Sequence, residues 1–306
     1  MKRIILLYML AVALAAQALS AKEVKILTIG NSFAQSVFQY LPQIARETPD
    51  CKLVLESANI SGCSFQRHWK YITEEEADPQ TKRYSRKRPN DAKLREILQS
   101  RKWDIVTIQQ ASHKSFLAET FAPEPEYIIE YVKKYAPSAE IVVQQTWSYR
   151  CDSPRLKKWN ISQNEMFARA EQNYANLAKK FDLRVVPTGL AVQNCRKIEK
   201  NPFKPIPPET LKTFKYPNLP SDSGDVVGRQ YYKRGKDGDW KLIVDYIHLN
   251  ERGKYMQACL WFGFFFDKDP AEIKFVPKSI DPKEAETLRD VAAQTLRQFK
   301  QPRGKK

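Results

Sequence analysis

The stretch KILTIGNSFAQ, residues 25–35, decides the fold that this sequence predicts. The apolar, β-branched run from Val24 to Ile29 stops abruptly at Gly30. Beyond it, apolar residues recur at helical spacing: Val37, Phe38, Leu41 and Ile44. The stretch therefore predicts a strand, a tight turn and a helix, with the glycine letting the chain reverse sharply at the carboxyl edge of a sheet.

Ser32 falls at the predicted start of this helix, and two interpretations of it follow. Free N–H groups and the helix dipole at this end favour developing negative charge, so Ser32 is placed to be a nucleophile if a base reaches it. Alternatively, Ser32 or Asn31 only caps the helix by accepting a backbone hydrogen bond. The stretch by itself does not separate these interpretations.

Strand and helix patterns alternate along the rest of the chain. Four further strands are predicted at 53–56, 103–109, 140–146 and 183–187, and the clearest helices at 91–99, 123–135, 162–181 and 282–299. The polar and basic segment 71–90 is predicted to cross the surface. This alternation is typical of an α/β fold with helices on both faces of about five parallel strands, so a site is expected at the carboxyl ends of the strands.

The start of the chain indicates export. A basic pair and an apolar run, residues 2–14, are followed by small residues, so residues 1–21 are predicted to be a signal peptide cleaved after Ser20 or Ala21. The run is too short to span a bilayer. Residues 22–306 are predicted to form a single domain that does not span the membrane and ends in a disordered basic tail.

The composition limits the partners and cofactors. The formal net charge of +16 indicates attraction to acidic polysaccharide or membrane surfaces, or simply a solvated basic surface. A nucleic-acid partner is not expected, because the chain has no interleaved aromatic and basic motif. The five cysteines include no CxxC pair, so no metal site is predicted; a disulfide such as Cys63–Cys151 can form but is not assigned, and one thiol at least stays unpaired.

Residues 199–241 interrupt the regular pattern. Their prolines and turn residues predict a long irregular insertion, tied at both ends to the sheet edge that carries Ser32. One hypothesis is a lid that covers the site and selects the substrate; the alternative is a surface loop packed elsewhere.

Three histidines are available as a base. His248 follows Asp245 by three residues, ahead of a helix capped by Asn250, so one loop can present both side chains; a surface histidine at a capped helix start is the alternative. His68 is expected to be packed and hydrogen-bonded. His113 is expected at the sheet edge, where it can line a substrate pocket.

Two aromatic residues, Trp147 and Tyr149, follow the fourth strand. They can form a platform for a sugar ring, although buried core positions explain them equally well.

Five segments resemble, in their order, the blocks of the SGNH or GDSL-type hydrolase superfamily, and within it the bacterial DUF4886 group. They are GNSF at 30–33, SGCSFQRHW at 61–69, IQQAS at 108–112, TWSY at 146–149 and DYIHLNERGKY at 245–255. The resemblance runs from Lys25 to Phe266. It implies a three-layer α/β/α, flavodoxin-like fold and ester hydrolysis without a metal or organic cofactor.

The resemblance also implies the roles of particular residues. Ser32 would be the nucleophile, His248 the base and Asp245 the partner that orients it. The N–H groups of Ser32 and Gly62 would form part of the oxyanion hole.

Two blocks depart from the superfamily pattern. Asn31 stands where aspartate is usual, a change expected to spare the nucleophile. The third block lacks Gly-x-Asn-Asp, which leaves Gln109, Gln110 or His113 to supply the missing oxyanion donor, and Gln110 is preferred.

The sequence thus predicts an exported serine esterase that removes acetyl or other small acyl groups from carbohydrate. Two alternatives stay open: a catalytically silent carbohydrate-binding protein on the same fold, and a lipid or thioester hydrolase.

Overall fold

A parallel sheet forms the centre of the computed structural model, which describes residues 21–86 and 88–299. Its strands are β1 (Lys22–Ile29), β2 (Cys51–Ser57), β3 (Ile105–Ile108), β4 (Glu140–Gln144) and β5 (Arg184–Val186), in the order β2-β1-β3-β4-β5. All neighbouring strands are parallel. The predicted five-stranded α/β fold is confirmed. The predicted signal peptide, apart from Ala21, and the basic tail lie outside the described residues.

Helices cover both faces of this sheet. They are α1 (Ser32–Gln35), α2 (Leu41–Glu47), α3 (Phe65–Ala77), α4 (Leu94–Gln99), α5 (Glu124–Tyr135), α6 (Pro154–Trp159), α7 (Gln163–Phe181), α8 (Thr188–Ile198), α9 (Pro208–Leu211), α10 (Glu251–Phe266) and α11 (Pro282–Gln298). Short 3-10 helices lie at Ser36–Gln39, Ala118–Phe121 and Pro270–Glu272. Ile26 and Leu27 belong to different apolar clusters, because successive strand residues point to opposite faces. None of the described helices is long and apolar enough to span a membrane.

Two helical segments differ from the prediction. The helix expected after Ser32 is split into α1, a 3-10 turn and α2, because Pro42 near the start of α2 has no N–H and would clash with a carbonyl in the preceding turn. The segment predicted to cross the surface from residue 71 belongs to α3 as far as Ala77. The acidic run in this segment made it look like an exposed surface segment. It is helical, and Ile72 and Glu75 are buried on one side of the helix.

The end of the predicted irregular insertion is also regular. Residues Val227–Arg234 form β6, which pairs antiparallel with β7 (Trp240–Leu249). Asp245 and His248 therefore lie on a strand of this hairpin, and not on a loop as predicted. The turn contains Gly238, whose φ of +89° is the left-handed conformation that hairpin turns favour. The run of valine and tyrosine before an Asp-Gly pair was the signal for this hairpin in the sequence.

A buried arginine fixes the hairpin to the sheet. Arg150, in the loop after β4, is fully buried, and its guanidinium binds the Asp152 carboxylate at 2.7 and 2.9 Å. The same guanidinium lies 4.1 Å from the ring centroid of Phe203 at the start of the insertion. The N–H of Arg150 donates to the carbonyl of Tyr246 on β7, 2.9 Å away. One residue thus contacts both the insertion, through its side chain, and the strand that carries His248, through its backbone N–H.

Gly228 lies against this arginine, which allows a matched test. A Cβ at Gly228 would be 2.6 Å from Nη1 of Arg150, whereas a Cβ at Gly238 would meet nothing within 4 Å; their φ angles are +94° and +89°. Alanine at either position incurs similar backbone strain, but only Gly228→Ala also displaces Arg150. We expect Gly228→Ala to lower the free energy of unfolding by roughly 1–3 kcal/mol more than Gly238→Ala, measured by urea denaturation. Equal losses would contradict the role given to Arg150.

All five cysteines are free, so the Cys63–Cys151 disulfide is absent. Cys63, in the loop after β2, is buried, whereas Cys151 is exposed.

Candidate active site

The turn after β1 brings the chain close to the end of β3. A Cβ on Gly30 would lie 2.7 Å from Cγ of Gln109, so a larger residue would push these two strand ends apart. The φ angle of Gly30 is not positive, so the predicted need for special backbone freedom is wrong. Glycine is required here by the close approach.

Asn31 is the cap of α1 and uses its whole hydrogen-bonding capacity. Its Oδ1 accepts from the N–H of Phe33 at 3.1 Å and from Nε2 of Gln109 at 2.7 Å. Its Nδ2 donates to the carbonyls of Cys63 at 3.0 Å and Gln110 at 3.4 Å. An aspartate could accept the first two bonds but could not donate the others. This explains why asparagine stands at this position, and it leaves the hydroxyl of the next residue uninvolved in capping.

The Ser32 hydroxyl lies at the start of a chain of three side chains. Its Oγ is 2.9 Å from Nε2 of His248, and Nδ1 of His248 is 2.8 Å from Oδ2 of Asp245. Oδ1 of Asp245 accepts from the N–H groups of Ile247 at 3.0 Å and His248 at 3.1 Å. The predicted geometry of this chain is confirmed. It is the arrangement that lets a serine transfer its proton to a histidine.

The environment of Asp245 keeps it ionised. Burial raises the pKa of this carboxyl, but hydrogen bonds from the His248 ring and from the backbone outweigh burial and hold the pKa well below its usual range. An anionic Asp245 favours the imidazole tautomer with its proton on Nδ1. The lone pair on Nε2 then faces Ser32, as a general base requires.

Ser32 and His248 open on a cavity of 410 Å³. Its lining consists of Asn31, Ser32, Gln35, Ser36, Gln39, Asn59, Ser61, Arg229, His248, Leu249 and Lys254. Five of these lining residues were not predicted from the sequence: Gln35, Gln39, Asn59, Arg229 and Lys254. The spacing of Gln35 and Gln39 from Ser32 was a usable signal; the others are distant in sequence. Arg229 is the one lining residue that the insertion supplies, so the lid stays a prediction.

The preference for Gln110 as an oxyanion donor is wrong. Gln110 is 1% exposed, its Nε2 donates to the carbonyl of Thr120 at 2.7 Å, and its Oε1 accepts from the N–H of Phe65. Nε2 of Gln109 is likewise occupied by Asn31. Both amides connect the loops beneath the site.

Gly62 and His113 do not line the cavity. Gly62 is exposed next to the lining residue Ser61, so its part in an oxyanion hole stays a prediction. His113, predicted to line the substrate pocket, is half-buried elsewhere, where burial and the charge of Arg155 lower its pKa.

Trp147 and Tyr149 support the site from below and do not form a sugar platform. Trp147 is 1% exposed, stacks on Phe33 with ring centroids 3.9 Å apart, and donates from Nε1 to the carbonyl of Ile247 at 2.9 Å. Tyr149 is fully buried, with its hydroxyl 2.9 Å from that of Ser112. The alternative of buried core aromatics is therefore confirmed.

Exchanging Asn31 for aspartate tests the cap. Asn31→Asp would turn a carboxylate oxygen toward the carbonyls of Cys63 and Gln110, losing two donors and burying a charge. We expect the free energy of unfolding at pH 7 to fall by about 3 kcal/mol, measured by chemical denaturation. The same exchange at exposed Asn160 should cost less than about 0.5 kcal/mol. Equal stability of the two variants would contradict the bonding described for Asn31.

His68 is fully buried beneath the turn, as predicted. Its Nε2 is 3.0 Å from the carbonyl oxygen of Gly30, and its Nδ1 is 3.0 Å from the hydroxyl of Tyr84. Burial lowers the pKa of His68 to about 4. The ring is therefore neutral at pH 7, donating to Gly30 and accepting from Tyr84.

This histidine makes stability depend on pH. In the unfolded chain its pKa is about 6.5, so between pH 6.5 and 4 the unfolded state binds more protons than the folded state. Stability contributed by the neutral ring is complete above pH 6.5 and is lost as the pH falls, by up to about 3 kcal/mol at pH 4. Urea denaturation at pH 4.5, 5.5 and 7 should show a slope that His68→Gln reduces. Identical slopes for the two proteins would disprove this account.

No group of three or more histidine, cysteine, aspartate or glutamate residues suited to a metal occurs within the described residues. The serine, histidine and aspartate at the edge of a five-stranded α/β/α sheet lie as the resemblance to the SGNH or GDSL-type hydrolases implies. The chain belongs to the DUF4886 family: the model of that family, described as a domain of unknown function, matches residues 25–204, more than half of the sequence.

Several solved structures are similar to this chain. A DUF4886 family protein from Bacteroides uniformis is 22% identical, with a TM-score of 0.68 over 90% of this chain and 95% of that chain. A member of the lipolytic G-D-S-L family from Veillonella parvula is 10% identical, with a TM-score of 0.39 over 79% and 96% of the two chains. The acetyl xylan esterase AlAXEase is 14% identical, with a TM-score of 0.42 over 77% and 96%. No curated protein matches the chain at a significant level.

Proposed function

We propose that this protein is an exported serine esterase that removes acetyl or other small acyl groups from carbohydrate. The observation that carries the proposal is the hydrogen-bonded chain from Ser32 through His248 to Asp245, which opens on a cavity. The export component rests on the N-terminal sequence pattern of residues 1–21.

The proposed reaction proceeds through an acyl-enzyme. Ser32 Oγ attacks the carbonyl carbon of the ester while Nε2 of His248 takes its proton, and Asp245 stabilises the resulting imidazolium. The N–H groups of Ser32 and Gly62 would hold the oxyanion. When this tetrahedral intermediate collapses, the bond between the carbonyl carbon and the sugar oxygen breaks, and the sugar oxygen leaves with the proton from His248. Water, activated by the same histidine, then releases the acid and restores Ser32.

The side chains that line the cavity support a substrate with polar groups. Leu249 is the only apolar residue among them within the described residues, and the others end in amides, hydroxyls, an imidazole or cations, although carbon atoms make up most of the exposed wall. A long acyl chain would leave these polar groups without partners, which is costly. A sugar can satisfy them with its own hydroxyls. This contrast favours a carbohydrate ester over a lipid.

Hydrolysis of 4-nitrophenyl acetate and of 4-nitrophenyl palmitate, together with acetate release from acetylated polysaccharides, tests the proposal. We expect the short ester to be cleaved with the higher kcat/KM and a fluorophosphonate to label wild type but not Ser32→Ala. A preference for the palmitate would indicate a lipid hydrolase. Neither cleavage nor labelling would indicate a silent carbohydrate-binding protein.

A further inference from the structure

One face of the hairpin leads out of the cavity and is basic and aromatic. Alternate residues of a strand point to the same side, so Arg229, Tyr231 and Lys233 on β6 share a face. Lys241 on β7 is paired directly opposite Lys233 and extends that face. We call these four residues the basic face.

The hairpin is irregular where the basic face begins. Residues 227 and 229 on β6 pair with residues 249 and 245 on β7, so the two extra residues lie on β7. Such an irregularity bends the strand that contains the extra residues, here the strand that carries His248, and Arg229 on the facing strand reaches the cavity. Its guanidinium also lies 5.0 Å from the ring centroid of Tyr231. An exposed aromatic ring and a planar cation thus stand side by side at the mouth of the cavity.

Arg229 is only loosely neutralised. Its Nε is 3.9 Å from Oδ2 of Asp245, which makes its short contact of 2.8 Å with His248 instead, and 45% of the Arg229 side chain is exposed. The second cation of the cavity, Lys254, is by contrast held by Glu251 at 2.7 Å. None of the described residues that line the cavity is a carboxylate. The cavity mouth therefore offers a positive charge that attracts an anion.

The far end of the basic face has the same sign. Lys233 is exposed and pairs with no carboxylate among the described residues, while Lys241 is paired with exposed Asp237 at 3.1 Å. Arg229 and Lys233 are four residues apart, about 13 Å along a strand. The basic face thus presents two positive charges, Arg229 and Lys233, with the Tyr231 ring between them. This arrangement suits a chain of sugars that carries repeated acid groups.

We propose that the basic face binds an acidic polysaccharide whose sugars carry carboxylates. Arg229 binds the carboxylate of the unit next to the acylated one, Tyr231 stacks on a sugar ring, and Lys233 binds a further carboxylate. The inference deepens the proposed function by naming the substrate class, and it rests on that function for the ester itself. Binding to the face requires no turnover, so it can be tested separately.

Calorimetric titration of Ser32→Ala with oligosaccharides of polygalacturonate, and with neutral cello-oligosaccharides of the same length, tests this site. We expect binding of the acidic ligand that is at least tenfold tighter than that of the neutral one. Adding Arg229→Glu and Lys233→Glu should weaken binding of the acidic ligand at least tenfold. Adding Arg229→Gln and Lys233→Gln, which keeps the side chains similar in size, should weaken this binding to a smaller degree. The matched control adds Lys268→Glu and Lys278→Glu, exposed positions outside the cavity lining with the same charge change.

Each outcome decides between the hypotheses. Equal binding of the neutral and acidic ligands would overturn the site. If the control pair weakened binding of the acidic ligand as much as the Arg229 and Lys233 substitutions, the overall charge would be responsible, and the site would also be overturned. Tight acidic binding without any cleavage of 4-nitrophenyl acetate by wild type would uphold the basic face and overturn the esterase. Cleavage of 4-nitrophenyl acetate without binding of the acidic oligosaccharide would uphold the esterase and overturn the basic face.

Discussion

Ser32→Ala and His248→Ala are each expected to lower kcat/KM on 4-nitrophenyl acetate by roughly ten-thousand-fold or more, and the double variant should lose little further activity. The reason is that the two side chains act as one unit: without the histidine the serine keeps its proton, and without the serine the histidine has nothing to activate. Initial rates over a range of substrate concentrations measure the effect.

His113→Ala is the matched control, since this histidine does not line the cavity. We expect its activity to stay within a few-fold of wild type. Additive losses for Ser32 and His248, or a loss at His113 as large as theirs, would mean that the base has been misassigned.

Asp245→Asn is expected to lower kcat by about a thousand-fold or more with little change in fold. The amide oxygen can still accept from the N–H groups of Ile247 and His248, so the strand keeps its local bonds. The amide nitrogen, however, would face Nδ1 of His248 and force the proton onto Nε2. The ring then could not accept the proton of Ser32.

Turnover rates, with circular dichroism as a check of folding, measure this effect. Asp245→Ala should also lose stability, because it removes the acceptor for both backbone groups. A loss of less than tenfold for Asp245→Asn would show that the orientation of His248 does not depend on this carboxylate.

The sequence was sufficient for the sheet and for the pairing of Asp245 with His248 because both depend on local patterns. Five apolar runs separated by helical periodicity specify a parallel sheet, and its carboxyl edge determines where Ser32 lies. The pairing of Asp245 with His248 is also local, since three residues separate them. The resemblance to known blocks added the association with Ser32, which is distant in sequence.

The rest could not be predicted because it depends on which groups are already bonded in the folded chain. Gln110 has the chemistry of an oxyanion donor, but Thr120 occupies its amide. Trp147 follows a strand at the active edge, yet Phe33 covers it. Arg229 reaches the cavity from a hairpin whose register shifts by two extra residues on β7, and such a shift leaves no periodic trace in the sequence.

The hairpin also carries a built-in optical reporter. Trp240 is the first residue of β7, and His248 lies near the other end of this strand, eight residues or about 26 Å away. Trp240 stacks on Tyr216 with ring centroids 4.3 Å apart. Trp240 is 45% exposed, whereas Trp69 and Trp159 are partly buried and Trp103, Trp147 and Trp261 are buried in the core. Quenching by a soluble agent such as iodide therefore affects Trp240 most strongly. The quenched part of the emission can follow the position of the strand that carries His248 in the unlabelled protein while a ligand is added.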